Sequence, residues 1–111
     1  EADFEALGLS LLLTTDDGSR GRRGLVTGPL KEAIGTSRPD MVYACGPPGM
    51  LRCILGLVET HRVPCEVSIE TLMACGMGAC LGCAVKDPGS PDRYRHACLD
   101  GPVFDAREVV I

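Results

Sequence analysis

The chain has 111 residues, 15 acidic against 11 basic side chains and a net charge of −4, a size for one domain or two small ones. That charge, with no basic run beyond Arg20-Gly21-Arg22-Arg23, argues against nucleic-acid binding, and no apolar run approaches the ~18 residues a membrane span requires. There is no Trp, and Phe and Tyr number two each, so a core must be built from Leu, Val, Ile, Met and Cys.

Residues 1–8 read as a short helix closed by Gly8. The chain starts without Met inside this helix, so a piece of a longer protein is expected. Residues 9–15 form an apolar run without alternation, expected as a strand buried on both faces of a parallel sheet. It ends in Asp16-Asp17-Gly18-Ser19, and residues 24–27 read as a short extended piece. A helix is expected from Pro29 through Leu30, Ala33 and Ile34. Residues 40–44 read as a second buried strand, closed by Cys45-Gly46-Pro47-Pro48-Gly49. Met50, Ile54, Leu57 and Val58 then recur at helical spacing to about His61, and residues 65–69 read as a third strand. Strand, helix, strand, helix, strand is a parallel α/β signature.

Composition changes near Glu70, so a boundary is expected there, with units 1–69 and 70–111. The second unit contains a Cys-rich loop, strands at 82–86 and 94–98 around a Pro/Gly-rich turn at 87–92, and a final edge at Val109-Val110-Ile111. It is expected to be mostly β and loop.

Cys75-Gly76-Met77-Gly78-Ala79-Cys80-Leu81-Gly82-Cys83 is answered by Cys98, giving C-x4-C-x2-C followed by a lone cysteine. The first three cysteines have the plant-type spacing for a [2Fe–2S] cluster, held by four thiolates. A loop wrapped that tightly needs positive φ and close backbone approach, which Gly76, Gly78 and Gly82 are expected to supply, while Ala74 and Ala79 keep bulk away. Backbone N–H groups in such a loop can point at sulfur, a main lever on reduction potential. Structural zinc prefers two short knuckles and suits this spacing less well. Cys80-x-x-Cys83 alone could be a thioredoxin-like pair, though Leu81-Gly82 starts a helix poorly. The four could also be buried free thiols. Seven cysteines, an odd number with no secretory leader in view, favour a reducing cytoplasm and metal-bound thiolates over a disulfide framework.

In an open α/β sheet, ligands bind beyond the carboxyl ends of the strands. Asp16 and Asp17, with Gly18, stand at one such end, where a carboxylate can accept the hydroxyls of an adenosine ribose; a plain Asp-Gly turn reads equally from these residues. Arg20, Arg22 and Arg23 nearby could accommodate a 2′-phosphate. Cys45-Gly46-Pro47 stands at another, where Gly permits approach of a flat ring and Pro starts the helix.

Together these segments carry a resemblance. Tyr43-Ala44-Cys45-Gly46-Pro47-Pro48-Gly49-Met50 resembles the C-G-P-x-x-M segment of the ferredoxin–NADP reductase superfamily. Thr15-Asp16-Asp17-Gly18-Ser19, with Gly21 and Gly24, is similar to a T-D-D-G-S-x-G-x-x-G segment of one branch. Glu70, Met73 and the cysteine loop, with Cys98-Leu99-Asp100-Gly101-Pro102-Val103-Phe104, resemble that branch closely. It is the electron-transfer subunit of class 1B dihydroorotate dehydrogenase. The resemblance implies a partial parallel-sheet NAD-binding domain of ferredoxin reductase type over 1–69, then a [2Fe–2S] domain over 70–111. It implies Cys75, Cys80, Cys83 and Cys98 as iron ligands, Asp16, Asp17 and Gly18 beside an NAD ribose, and Cys45, Gly46 and Pro47 near nicotinamide and flavin. It further implies FAD, bound mainly by a barrel absent from this sequence, along with the first strand of the NAD domain. Its partner would be an FMN-containing catalytic subunit, in a heterotetramer of pyrimidine synthesis. Another iron–sulfur flavoprotein reductase, of sulfide dehydrogenase or ferredoxin–NADP reductase type, or a zinc-stabilised interaction module stand as alternatives.

Overall fold

The computed structural model describes every residue from Glu1 to Ile111. The chain is α/β and divides into two compact units, Glu1–Ser37 and Arg38–Ile111.

In the first unit, α1 (Ala2–Ala6) ends at Leu7, and Gly8 follows in the left-handed region. The apolar run at 9–15 is a strand only at its end: β1 (Thr14–Thr15) pairs in parallel with β2 (Arg22–Arg23) in a separate two-stranded sheet. Leu9, Leu11 and Leu12 are exposed rather than buried on two faces. A strand extends only as far as a neighbour supplies hydrogen bonds, and within 1–37 that neighbour is two residues long. The extended piece expected at 24–27 is displaced to β2, and α2 (Thr27–Thr36) starts two residues ahead of Pro29.

The second unit is built on a three-stranded sheet. β3 (Val42–Cys45) and β4 (Cys65–Ser68) run parallel, joined by α3 (Pro48–Thr60), and β7 (Val103–Asp105) lies antiparallel on the far side of β4. Between β4 and β7 come β5 (Ala84–Lys86) and β6 (Tyr94–His96), an antiparallel hairpin of their own. Leu51, Ile54 and Val58 recur every three or four residues along α3, and all are buried. On the sheet, Val42, Ala44, Cys65 and Val67 are buried, with Phe104 directly opposite Val67. The other face is open: Tyr43 and Cys45 are exposed, so β3 is buried on one side only. The reason is that α3 is the helix that packs on this sheet within the unit.

β7 was hidden in the sequence because three residues between Pro102 and a turn carry no readable period. The edge expected at Val109-Val110-Ile111 is not a strand; Val109 is buried, and Val110 donates a single backbone bond to Lys86 O.

Leu51 is 1% exposed at the centre of the helix–sheet contact. Leu51→Ala should cost about 2–5 kcal/mol, read from urea unfolding, because it removes apolar contact and leaves a cavity. A second expectation concerns pH. The Arg107 side chain and backbone N–H both hydrogen-bond Asp105 and hold its carboxyl down at about 2. A folded pKa below the unfolded value of about 4 contributes stability above pH 4 that is lost as pH falls toward 2. Asp105 is about a third exposed, so solvent screening should keep the contribution under about 1 kcal/mol. The stability gap between the protein and Asp105→Asn should accordingly close over that window in unfolding measured from pH 5 to pH 2.

Candidate iron–sulfur site

The hairpin positions two of the four cysteines. Cys83 directly precedes β5 and Cys98 follows β6 by one residue; the pairs Ala84–His96, Val85–Arg95 and Lys86–Tyr94 continue into a bond from Ala97 N to Cys83 O. This register brings Cys83 Sγ and Cys98 Sγ to 3.3 Å. Hydrogen bonding with the Cys98 backbone N–H and thiol holds Cys83 below the ordinary thiol range, while the bond between the two thiols and burial push Cys98 up.

The other two cysteines lie in a loop that contains no buried residue from 70 to 82. Its order comes from sulfur acting as acceptor. Met77 N and Cys80 N each donate to Cys75 Sγ at 3.4 Å, and Gly82 N donates to Cys80 Sγ at 3.4 Å. The N–H groups of Met77 and Cys80 lower the Cys75 thiol to about 6. Two of these bonds close the same kind of turn, from sulfur i to N–H i+2. The central residue is left-handed in both, Gly76 at φ 67° and Leu81 at φ 60°. The sequence pointed to Gly82 for a positive φ; the structure puts it on Leu81, where a Cβ makes it cost roughly 1–2 kcal/mol. Gly82 lies outside the left-handed region. Nothing in the residue pattern marks that exchange.

The four sulfurs are not drawn into one group: no three His, Cys, Asp or Glu side chains are gathered as a metal-holding set. The structure joins Cys83 to Cys98 and ties Cys80 to Cys75 through the backbone. All seven cysteines are free thiols. The donor chemistry fits an iron–sulfur centre, since the polar groups in the loop aimed at one another are thiols and the N–H donors that stabilise thiolate charge.

The nucleotide candidates fall in different units. Asp16, Asp17 and Gly18 form the turn after β1, exposed, with Asp17 Oδ1 accepting from Ser19 N at 2.9 Å. That bond lowers the Asp17 carboxyl and employs it in the turn. The turn is closed by Thr15, which bonds Arg20 through its hydroxyl and accepts from Gly24 N on its carbonyl. In the second unit, Cys45 ends β3 and Gly46 and Pro47 lead into α3, and Cys45 lines a shallow hollow of about 150 Å³ with Tyr43, Ala44, Glu66, Ser68 and Val103. A larger hollow of about 490 Å³ opens beside Cys65, at the amino end of β4, and none of the candidate iron or nucleotide residues lines it.

Residues 70–110 match the family model described as the iron–sulfur cluster binding domain of dihydroorotate dehydrogenase B. Over 96% of its length the chain is 48% identical to the dihydroorotate dehydrogenase B (NAD⁺) electron transfer subunit of Caldanaerobacter subterraneus subsp. tengcongensis. The corresponding subunit of Geobacillus thermodenitrificans is 46% identical over the whole chain. The chain belongs to the family of dihydroorotate dehydrogenase B electron transfer subunits. It spans 42% and 41% of the length of these two relatives. Among solved structures, an NADH-dependent reduced ferredoxin–NADP oxidoreductase studied for flavin-based electron bifurcation superposes with a TM-score of 0.78 at 32% identity, covering 97% of this chain and 38% of that one. Ferredoxin–NADP reductase-like architecture and an iron–sulfur binding segment are thus features of this chain.

The turn that holds Asp16 and Asp17 depends on Gly21, at φ 69°, where a Cβ would stand 2.2 Å from Leu13 O. Gly8 has the same backbone angle with open space around it. Gly21→Ala should therefore cost about 1–3 kcal/mol in urea unfolding and Gly8→Ala only about 1 kcal/mol.

Proposed function

We propose that the chain works within the electron transfer subunit of a dihydroorotate dehydrogenase, linking an FMN-containing catalytic subunit to NAD in pyrimidine biosynthesis. The observation that carries the reading is the sulfur arrangement inside residues 70–110: two thiols 3.3 Å apart and two more accepting backbone N–H bonds, in the segment that matches an iron–sulfur binding family. Cys75, Cys80, Cys83 and Cys98 would hold a [2Fe–2S] cluster. Such a cluster, when bound, supplies reversible one-electron transfer. The chain's own part is to present four thiolates, direct N–H donors at them and keep charged side chains out of the loop.

On this reading residues 1–69 are part of an NAD-binding domain and 70–111 a cluster domain. Asp16, Asp17 and Gly18 would border the NAD ribose, and Cys45, Gly46 and Pro47 would border the nicotinamide and flavin, with FAD bound mainly by parts of the full subunit beyond this sequence. The seven free thiols suit a reducing cytoplasm. No helix is long and apolar enough to cross a membrane. An assembly of two catalytic and two electron transfer subunits would complete the enzyme.

The reading is tested by iron content in single variants. Ser at Cys75, Cys80, Cys83 or Cys98 should lower bound iron and alter the visible spectrum, whereas Ser at Cys45, Cys53 or Cys65 should leave both unchanged. Iron retained in Cys98→Ser but lost in Cys65→Ser would sink the ligand assignment.

A further inference from the structure

Cys83 and Cys98 are 15 positions apart in the chain, yet their sulfurs meet at 3.3 Å in a hydrogen bond between thiols. The frame that holds them there is backbone. Ala84 pairs with His96, and Ala97 N bonds Cys83 O one step further on. The residues around them are packed, with Ala97 1% and Val85 6% exposed. Sulfurs in a disulfide stand about 2 Å apart, so these two need to close by only about 1 Å, a distance that side-chain rotation covers. Cys75 and Cys80 are held differently. Their sulfurs accept N–H bonds from Met77, Cys80 and Gly82, which fix each sulfur to its own turn. The remaining thiols, Cys45, Cys53 and Cys65, lie on β3, α3 and β4.

Exposure is divided within the pair. Cys83 is 2% exposed and Cys98 is half-buried, so a small reagent reaches Cys98 first while Cys83 stands against it from inside. A thiol oxidised alone passes from sulfenic to sulfinic acid, which thiols do not reverse. One with a second thiol in contact is diverted to a disulfide, which they do.

We propose that Cys83 and Cys98 form a reversible disulfide when the metal-free chain meets hydrogen peroxide, and that this bond keeps the site closed to metal until it is reduced. The proposal rests on the reading of the four cysteines as cluster ligands. The Cys98 sulfur attacks one peroxide oxygen and the O–O bond breaks. The products are the Cys98 sulfenic acid and one water, which carries the thiol proton. The Cys83 sulfur then displaces the hydroxyl from Cys98, forming the S–S bond, and its proton leaves with that hydroxyl as a second water. Two thiols lose two electrons and one peroxide gains them. A dithiol restores both sulfurs by exchange. While they are bonded to each other, Cys75 and Cys80 alone remain, two ligands where a [2Fe–2S] cluster or a structural zinc takes four. One bond thus shields both cysteines from irreversible oxidation and bars the wrong metal.

The test uses the full-length subunit carrying these residues, freed of iron anaerobically with a chelator and a reductant and then cleared of both. About one equivalent of hydrogen peroxide should consume about two thiols per chain, and peptide mass spectrometry should find Cys83 joined to Cys98. Uptake of iron and sulfide by the treated sample, read from iron content and the visible spectrum, should fall about tenfold or more, and dithiothreitol should restore it. Cys53→Ser, which changes an exposed thiol on α3, should give the same disulfide. Cys98→Ser should give no disulfide at Cys83. Cys75 joined to Cys80, a scrambled mixture of pairings, or sulfinic acid at Cys98 in place of a disulfide would overturn the proposal. Full iron uptake by the peroxide-treated subunit before reduction would overturn it too. Failure of the untreated subunit to take up iron would instead strike at the ligand reading, while the peptide map still decides whether the pair forms.

Discussion

The pairing of β5 with β6 sets how closely Cys98 approaches Cys83, and the site depends on it. The ladder from Lys86–Tyr94 to Ala84–His96, prolonged by Ala97 N to Cys83 O, delivers both sulfurs to the same end of the hairpin. Strand side chains alternate between faces, so a slip of one residue would turn one cysteine away from the other. The far end of the hairpin is held by charge. Asp87 is 8% exposed and faces Arg93 at 3.5 Å and Arg95 at 3.7 Å, and Arg95 reaches on to Glu108 in the C-terminal segment. A buried carboxylate with two guanidinium partners tolerates little displacement, because moving it leaves charge unpaired. The same C-terminal segment supplies β7 to the main sheet and the Val110 bond to Lys86. Residues after Cys98 thus tie the hairpin to the β3–β4 layer.

The loop from 70 to 82 follows a different rule. It has no core, and its shape is held by backbone N–H groups that terminate on sulfur. Such bonds strengthen when the acceptor is a thiolate, so the loop is best ordered in the ionisation state that a metal requires. Folding of this part and binding of its metal are therefore expected to reinforce each other.

How much of this was legible in the sequence varies with the kind of signal. The helix α3 and the β3–α3–β4 order were readable because a 3.6-residue period persists over enough residues; of the stripe expected at Met50, Ile54, Leu57 and Val58, Ile54 and Val58 are buried, and Leu51 rather than Met50 or Leu57 completes the buried face. The cysteine spacing was readable as an iron–sulfur signal, and residues 70–110 match an iron–sulfur cluster binding family model. The strand at 9–15 was misread: an apolar run reports burial potential, whereas strand formation requires a hydrogen-bonding neighbour, and β2 offers one for two residues only. β7 was missed because it forms through its partner β4 and has no local pattern to show. The left-handed Leu81 was missed because glycine at 82 was the more favourable host, and the chain uses leucine instead. Asp17 was legible as a turn residue and as a ribose candidate alike; the bond to Ser19 N shows the turn role, and the carboxylate's second oxygen is what a ribose would have to recruit.

The central claim is that this loop and hairpin hold a two-iron centre through thiolates alone. Metal and sulfide analysis, with low-temperature EPR, on protein purified anaerobically under reducing conditions tests it most directly. About two irons and two acid-labile sulfides per chain, with a paramagnetic signal appearing on one-electron chemical reduction, is the predicted result. About one zinc per chain, no labile sulfide and no signal on reduction would contradict it.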